Sequence, residues 1–300
     1  MDIAESFARC RGRLLGLAYR MLGSRADAED IVQDAYLRVS SAGSDIRNAE
    51  AFLTTAVTRL CLDHLKSARA RREVYVGPWL PEPVLDADAL TPETTREIAD
   101  DLSFALLLTL EKLSPGERAA FLLHDVFDMP FARIAAMLDK SEAACRQLAA
   151  RARKAFKTAR PARPAPAEAH RALLLRFAET VATGDARHLE ALLTADVVAY
   201  SDGGGAKIAA LNPIRGADKV ARFIMGLARK HRARGGTSAV SLTVINGAPG
   251  FVVYLDGVLD QTLSIDVADG RIGAIYVVRN PAKLRAVAAA LPATPPPARA

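Results

Sequence analysis

Two short apolar stripes, separated by a break of only a few residues, constrain this chain more than any other feature. In "PFARIAAMLDK", Phe131, Ile134, Ala135 and Leu138 fall at i, i+3, i+4 and i+7, one face of an α-helix. In "SEAACRQLAARARKAFK", Cys145, Leu148, Ala149, Ala152 and Phe156 continue the same period over three turns. Helices this short bury their stripes only against each other and a third element, so a helix-turn-helix arrangement is expected. Pro130 suits a first-turn position, where its missing N–H would have no partner anyway. Ser141 is a good N-cap for the second helix, with Glu142 near the positive end of its dipole. Upstream, Ser114, Pro115 and Glu117 supply N-cap, first-turn proline and capping-box partner for a helix that turns Ala119, Leu122, Leu123 and Val126 inward. That helix is the third side of the core.

The remaining face of the second helix carries Arg146, Gln147, Arg151, Arg153, Lys154 and Lys157. In a helix-turn-helix the early positions meet base edges, which makes Arg146 and Gln147 the readers and the later cations phosphate clamps. The plain alternative is a solvated basic face. Net charge is +6 with a pI near 9.4, an excess that favours polyanions without specifying one. The three cysteines (Cys10, Cys61, Cys145) are isolated among apolar neighbours. Buried reduced thiols are expected, with no disulfide framework, metal site or cofactor. "MDIAESFARCRGRLLGLAYRML" is interrupted by arginines and is neither a signal peptide nor a membrane span, which points to a cytoplasmic protein.

Composition divides the chain. Val76 to Glu93 is proline-punctuated, Ala159 to Ala169 alternates Pro and Ala with Arg, and "LPATPPPARA" closes the sequence. The expected units are a helical domain at 1–75, a linker at 76–100, a second helical domain at 101–158, a Pro/Ala linker at 159–168, an α+β domain at 169–290 and a disordered tail at 291–300. In the α+β domain one helix is expected over His170 to Thr194 and another over Ala217 to Arg232. "AVSLTVING", "GFVVYLDG", "VLDQTLSIDVADG" and "RIGAIYVVRN" follow as successive antiparallel strands with Gly-containing turns.

Near the N-terminus, Ser24 and Asp27 open a helix whose buried stripe is Ala28, Ile31, Val32, Ala35 and Val39. Its other face shows Asp27, Asp30, Gln33, Asp34 and Leu37, an acidic surface suited to docking a basic partner. The next helix buries Phe52, Leu53, Ala56, Val57, Leu60 and Leu65 and ends in a basic run of Arg59, Lys66, Arg69, Arg71 and Arg72.

The succession "AEDIVQDAYLRV", "AFLTTAVTRLCLDHLKSARA", "LSPGERAAFLLHDVF" and "RIAAMLDKSEAACRQLAARARKAF" resembles the two domains of an extracytoplasmic-function sigma factor, from about Phe7 to Phe156. "WLPEP" (Trp79 to Pro83), "DGGGAK" (Asp202 to Lys207) and "NPAKL" (Asn280 to Leu284) resemble signatures of the SigJ-type subgroup, which carries a fused C-terminal SnoaL-like, cone-shaped domain. The resemblance implies a multidomain protein: two all-α sigma domains, then an α+β cone. It implies that Asp30, Gln33, Asp34 and Leu37 bind core RNA polymerase, at a coiled coil of β′, with the β subunit also a partner. It implies that Thr58, Arg59, Asp63, Lys66 and Arg69 bind the downstream promoter element, and that Ser141, Arg146, Gln147, Arg151, Arg153 and Lys154 bind the upstream one. The sequence departs from the family at Arg133, commonly Glu, and at Asp139, usually Gly; Asp enters the left-handed region at modest cost.

Relatives of the cone use a pocket Asp or His as acid or base, which makes Asp196, Asp202, Asp256, Asp260, Asp266 and His188 the candidates here. Asp202 and Asp256 sit beside glycines ("SDG", "LDG"), where Asp is mostly a turn former, and no enzymatic role is expected. "DGGGAK" lacks the spacing of a phosphate-binding loop and reads as a flexible loop meeting a neighbour, with Gly203, Gly204 and Gly205 allowing close approach and Asp202 and Lys207 as polar anchors. Trp79, the only tryptophan, is expected to dock its linker (Trp79, Leu80, Pro81, Glu82, Pro83) into a groove, together with Asn280, Pro281, Lys283 and Leu284. The fused domain would then regulate the promoter-binding domains without a separate anti-sigma factor, and a small-molecule ligand in it stays open. A ligand-sensing helix-turn-helix regulator is the alternative, and an enzyme with a DNA-binding appendage a third reading. Both leave the acidic face of Asp30 and Asp34 without a task.

Overall fold

The computed structural model describes residues 3–41, 48–73, 75–85, 102–159 and 165–291. The chain forms two units, one made of Met1–Val74 with Asp86–Arg160, the other of Tyr75–Leu85 with Pro161–Ala300.

The first unit is helical: α1 (Ile3–Leu22), α2 (Arg25–Ser41), α3 (Ala49–Glu73), α4 (Phe104–Glu111), α5 (Pro115–Phe121) continued by a π-turn (Leu122–Val126), α6 (Phe131–Leu138) and α7 (Glu142–Ala159). Leu14, Leu17, Tyr19, Val32, Ala35, Leu53 and Val57 are buried where α1, α2 and α3 meet. Each large aliphatic side chain removed from water there contributes about 1.5–3 kcal/mol. Phe52 was expected in this core but is 46% exposed, because it lies one helical step off the stripe set by Leu53 and Val57. The capping box at Ser114 and Glu117 forms in both directions. Pro130 takes the N-cap of α6 rather than its first turn. Asp139 adopts the left-handed conformation (φ 53°, ψ 53°) that lets α7 leave at an angle. Cys10, Cys61 and Cys145 are free and buried.

Arginines tie the helices of this unit at their carbonyl ends. The buried Arg118 guanidinium donates to Met21 O at the end of α1 and, at 3.1 Å, to Glu111. Burial lowers its pKa to about 10, which leaves it a cation at neutral pH. Arg13 donates to Phe127 O at 2.9 Å, and Arg59 reaches Met137 O and Ala136 O at the end of α6, both at 3.4 Å.

The second unit runs α8 (Ala167–Thr183), α9 (Ala186–Leu192), β1 (Leu193–Asp202), β2 (Ile214–Arg215), α10 (Ala217–Arg232), β3 (Ser238–Ile245), β4 (Ala248–Leu255), β5 (Val258–Ala268), β6 (Arg271–Val278) and α11 (Arg285–Ala290). One six-stranded sheet has the order β2-β1-β6-β5-β4-β3. β3 to β6 are the expected antiparallel meander. Its turns are Asn246-Gly247, Asp256-Gly257 and Asp269-Gly270, every residue at positive φ, the chemistry of two-residue hairpins that match strand twist. Leu174, Leu189, Val197, Val220, Ile265 and Ile275 form the core between helices and sheet.

The helix expected from His170 to Thr194 is instead two helices and the start of a strand. Gly184, at φ 82°, closes α8 as a left-handed cap, and Asp185 caps α9 by accepting from His188 N. β1 then pairs in parallel with β6. It ends at Asp202, which brings "DGGGAK" beside "NPAKL".

Candidate functional site

Asp202 is the centre of the second unit's polar site. Its side chain is fully buried, a placement a carboxylate tolerates only with its charge and lone pairs matched. Tyr75 Oη donates to Oδ1 at 2.6 Å and Gly204 N at 3.0 Å; Leu80 N donates to Oδ2 at 2.9 Å and Lys283 Nζ at 2.7 Å. The Asp202 carbonyl accepts from Arg279 N at 2.7 Å and Asn280 N at 2.9 Å. One residue therefore joins three sequence segments.

Lys283 completes the clasp. Its ammonium also donates to Leu80 O and stands 4.3 Å from the Trp79 ring centroid and 5.1 Å from that of Tyr75. A cation against two aromatic faces and a buried carboxylate is held by cation–π and ionic attraction together. Burial, and next the neighbouring Asp202 carboxylate, raises the Tyr75 pKa, so its hydroxyl stays a donor. Asn280 Nδ2 donates to Tyr75 Oη at 2.9 Å. Further along the strap, Val84 N donates to the Asn246 side-chain Oδ1 at 3.0 Å and Asn246 N to Val84 O at 2.7 Å, a reciprocal pair of bonds. Leu80, Pro81, Glu82, Pro83 and Val84 are all buried.

The glycines are required by closeness. A Cβ on Gly204, which has φ 59°, would lie 2.2 Å from Asn280 Nδ2, and one on Gly203 would lie 2.2 Å from Lys207 O. Gly205 passes beside Val76. Lys207 and Arg279 both pair with buried Asp260, at 3.2 Å and 2.9 Å. Pro281 is exposed at the following turn, while Leu284 is buried. Of the acidic candidates for catalysis, Asp202 and Asp260 are thus engaged, Asp256 in the β4–β5 turn accepts from Thr237 N ahead of β3 at 2.8 Å, and Asp266 accepts from Tyr276 Oη at 2.5 Å. Sequence reasoning missed Tyr75, Asn246 and Arg279. Tyr75 and Arg279 do adjoin "VGPWLPEP" and "NPAKL".

In the first unit, Asp30, Gln33, Asp34 and Leu37 are exposed along one side of α2, Leu37 by 55%. On α7, Arg146, Gln147, Arg151 and Lys154 are exposed, whereas Arg153 is held by Asp125 in a bidentate pair at 2.8 and 3.0 Å. That pair ties α7 to Asp125 while leaving the Arg153 side chain 40% exposed. Ser141 caps α7 by accepting from Ala144 N at 3.2 Å. Arg146 hydrogen-bonds Glu142 and stands 5.5 Å over the Phe131 ring. On α3, Thr58 does not offer itself to DNA: it is fully buried and its hydroxyl donates to Thr54 O at 2.8 Å. Arg59 is exposed, Asp63 and Lys66 pair at 2.8 Å, and the Arg69 side chain lies outside the described residues. No helix among the described residues is long and apolar enough to cross a membrane.

The sequence matches Sigma-70 region 2 over residues 7–71 and Sigma-70 region 4 over residues 103–156. Over 293 residues, 94% of this chain and 93% of the relative, it is 43% identical to the ECF RNA polymerase sigma factor SigJ of Mycobacterium tuberculosis. It is 32% identical over 289 residues, 94% of each chain, to the probable ECF RNA polymerase sigma factor SigI of the same organism. The crystal structure of the M. tuberculosis extracytoplasmic-function sigma factor SigJ superposes with a TM-score of 0.74 at 38% identity, covering 95% of this chain and 99% of that one.

Proposed function

The chain belongs to the extracytoplasmic-function RNA polymerase sigma factors, and from that premise we propose that its SnoaL-like domain is a built-in regulator working through the strap Tyr75–Leu85. As a sigma factor the protein binds core RNA polymerase and promoter DNA and directs initiation. The relatives match both sigma regions in a single alignment across the chain, which leaves a free-standing ligand-sensing regulator without support.

The observation that carries the regulatory reading is the Asp202 clasp. The strap lies in the connection between region 2 and region 4. Free and extended, its eleven residues would span about 36–40 Å. Clasped to the second unit, that length no longer serves to separate the two promoter-binding regions. In the clasped state Arg59 caps carbonyls of α6, the first helix of the helix-turn-helix, instead of meeting DNA. Opening the clasp lets the regions part to the spacing of the two promoter elements, a task that a separate anti-sigma factor would otherwise control.

Within this scheme Asp30, Gln33, Asp34 and Leu37 dock on polymerase. Arg59, Asp63, Lys66 and Arg69 serve the downstream element, while Arg146, Gln147, Arg151 and Lys154 serve the upstream one. Transcription by reconstituted holoenzyme on a mapped promoter tests the proposal with Lys283→Met and Trp79→Ala. Removing Lys283 leaves the buried Asp202 carboxylate without its cation, a loss of roughly 3–5 kcal/mol in comparable buried pairs. Both variants are expected to change promoter output several-fold, upward at limiting sigma concentration, with core binding intact. Unchanged output from both sinks the regulatory role and leaves the strap a packing element.

A further inference from the structure

A dense block of positive charge on this chain lies outside both sigma regions. Between Ile214 and Gly236 seven cations (Arg215, Lys219, Arg222, Arg229, Lys230, Arg232, Arg234) face the single carboxylate of Asp218, a net charge of +6 that equals that of all 300 residues. Most of these belong to α10. Its apolar face, with Val220 and Ala221 at 0% and 2% exposure, is buried in the core of the second unit. On the opposite face Lys219, Arg222, Arg229 and Lys230 are exposed and flank Gly226 and Ala233. A side chain at Gly226 would touch nothing within 4 Å, so the middle of the basic arc is open down to the backbone. Asp218 pairs with Arg222, and Arg232 donates to Ala182 O at 2.7 Å.

We propose that this face of α10 binds the sugar–phosphate backbone of duplex DNA beside the promoter elements, independently of base sequence. Spaced cations around a small-residue centre fit a rod of phosphates, where affinity comes from counterion release. A protein-docking face is built around apolar or aromatic anchors, and the arc has only Leu227, 48% exposed, at its margin. A membrane surface would need the apolar face that α10 has already buried. Seven residues join α7 to α8, so DNA held by α7 is presented to the second unit at high effective concentration.

The test is binding of reconstituted holoenzyme, containing the full-length chain, to a promoter duplex with a long or a trimmed upstream flank across a salt series. The variant is Arg222→Gln, Arg229→Gln and Lys230→Gln combined, all exposed positions. It is expected to lose about tenfold in affinity for the long duplex, and its salt slope to fall by about 0.9 per lost phosphate contact. Affinity for the trimmed duplex should stay the same, and scrambling the flank should change nothing. Arg222→Lys with Arg229→Lys should retain binding, since a phosphate contact needs only the charge. An unchanged slope and affinity in the glutamine variant overturns the proposal. So does weaker association with core polymerase at unchanged DNA affinity, which would make the face a site for acidic protein.

Discussion

A buried ionisable side chain is stable where its neighbours match it, and in the second unit Asp202 is matched fully and His170 poorly. Asp202 has four donors, one of them cationic. His170, near the start of α8, has its Nε2 buried with no partner, and burial lowers its pKa. Because the folded value lies below the unfolded one, the unfolded chain binds more protons as pH falls through the ordinary histidine range. Stability of the second unit is therefore full above about pH 6.5, is lost as pH drops toward the folded pKa, and then levels off. Thermal denaturation of the full chain over this range should show the second unit's transition falling with acid, and His170→Leu should flatten that dependence. An unaltered profile in the variant would mean that the imidazole is not what titrates.

At the scale of elements, the turn between α6 and α7 is built on a residue that pays for its conformation. Asp139 sits at φ 53° and ψ 53°, where a Cβ crowds the carbonyl and only glycine is unstrained. Asp139→Gly should stabilise the first unit by about 1 kcal/mol in urea denaturation, and Asp139→Val should destabilise it by more. Both helices of that pair were legible in the sequence because their apolar stripes, caps and turn signals agree. β1 was not. "LTADVVAYSD" follows α9 without a Gly or Pro break, and the apolar residues of His170 to Leu192 carry a helical period up to its first residue. Strand pairing with β6 is a tertiary fact that local period does not encode. Similarly, Thr58 was assigned to DNA by its place in the motif, but a Thr inside a helix readily bonds the carbonyl four residues back, and here it is buried doing so. The motifs "WLPEP", "DGGGAK" and "NPAKL" were visible as segments that belong together. Of the residues that complete their joins, Tyr75 is marked only by its place beside "VGPWLPEP", and Asn246 carries no signal that distinguishes it from an ordinary turn asparagine.

For the whole molecule, the clasp makes the strap part of the second unit's cooperative structure although it lies in sequence between helices of the first. The strap's amides report this directly. Leu80 N–H is bonded to a fully buried carboxylate and Val84 N–H to the Asn246 side chain, so neither can exchange with solvent unless the strap lifts. In the wild-type chain both should exchange at rates like those of β1 and β6 rather than those of a surface connection. Lys283→Met removes the ammonium that meets Trp79, Tyr75, the Leu80 carbonyl and Asp202 at once. Local opening should then cost less, and both amides should exchange at least about tenfold faster, the factor that 1.4 kcal/mol represents. The amides inside α1, α2 and α3 should keep their rates, since none of their bonds passes through the clasp. If instead the whole of β1 and β6 speeds up in step with the strap, Lys283 supports the sheet itself. If nothing speeds up, the strap is retained by the burial of Leu80 and Val84 alone, and a signal acting on the clasp could not release it.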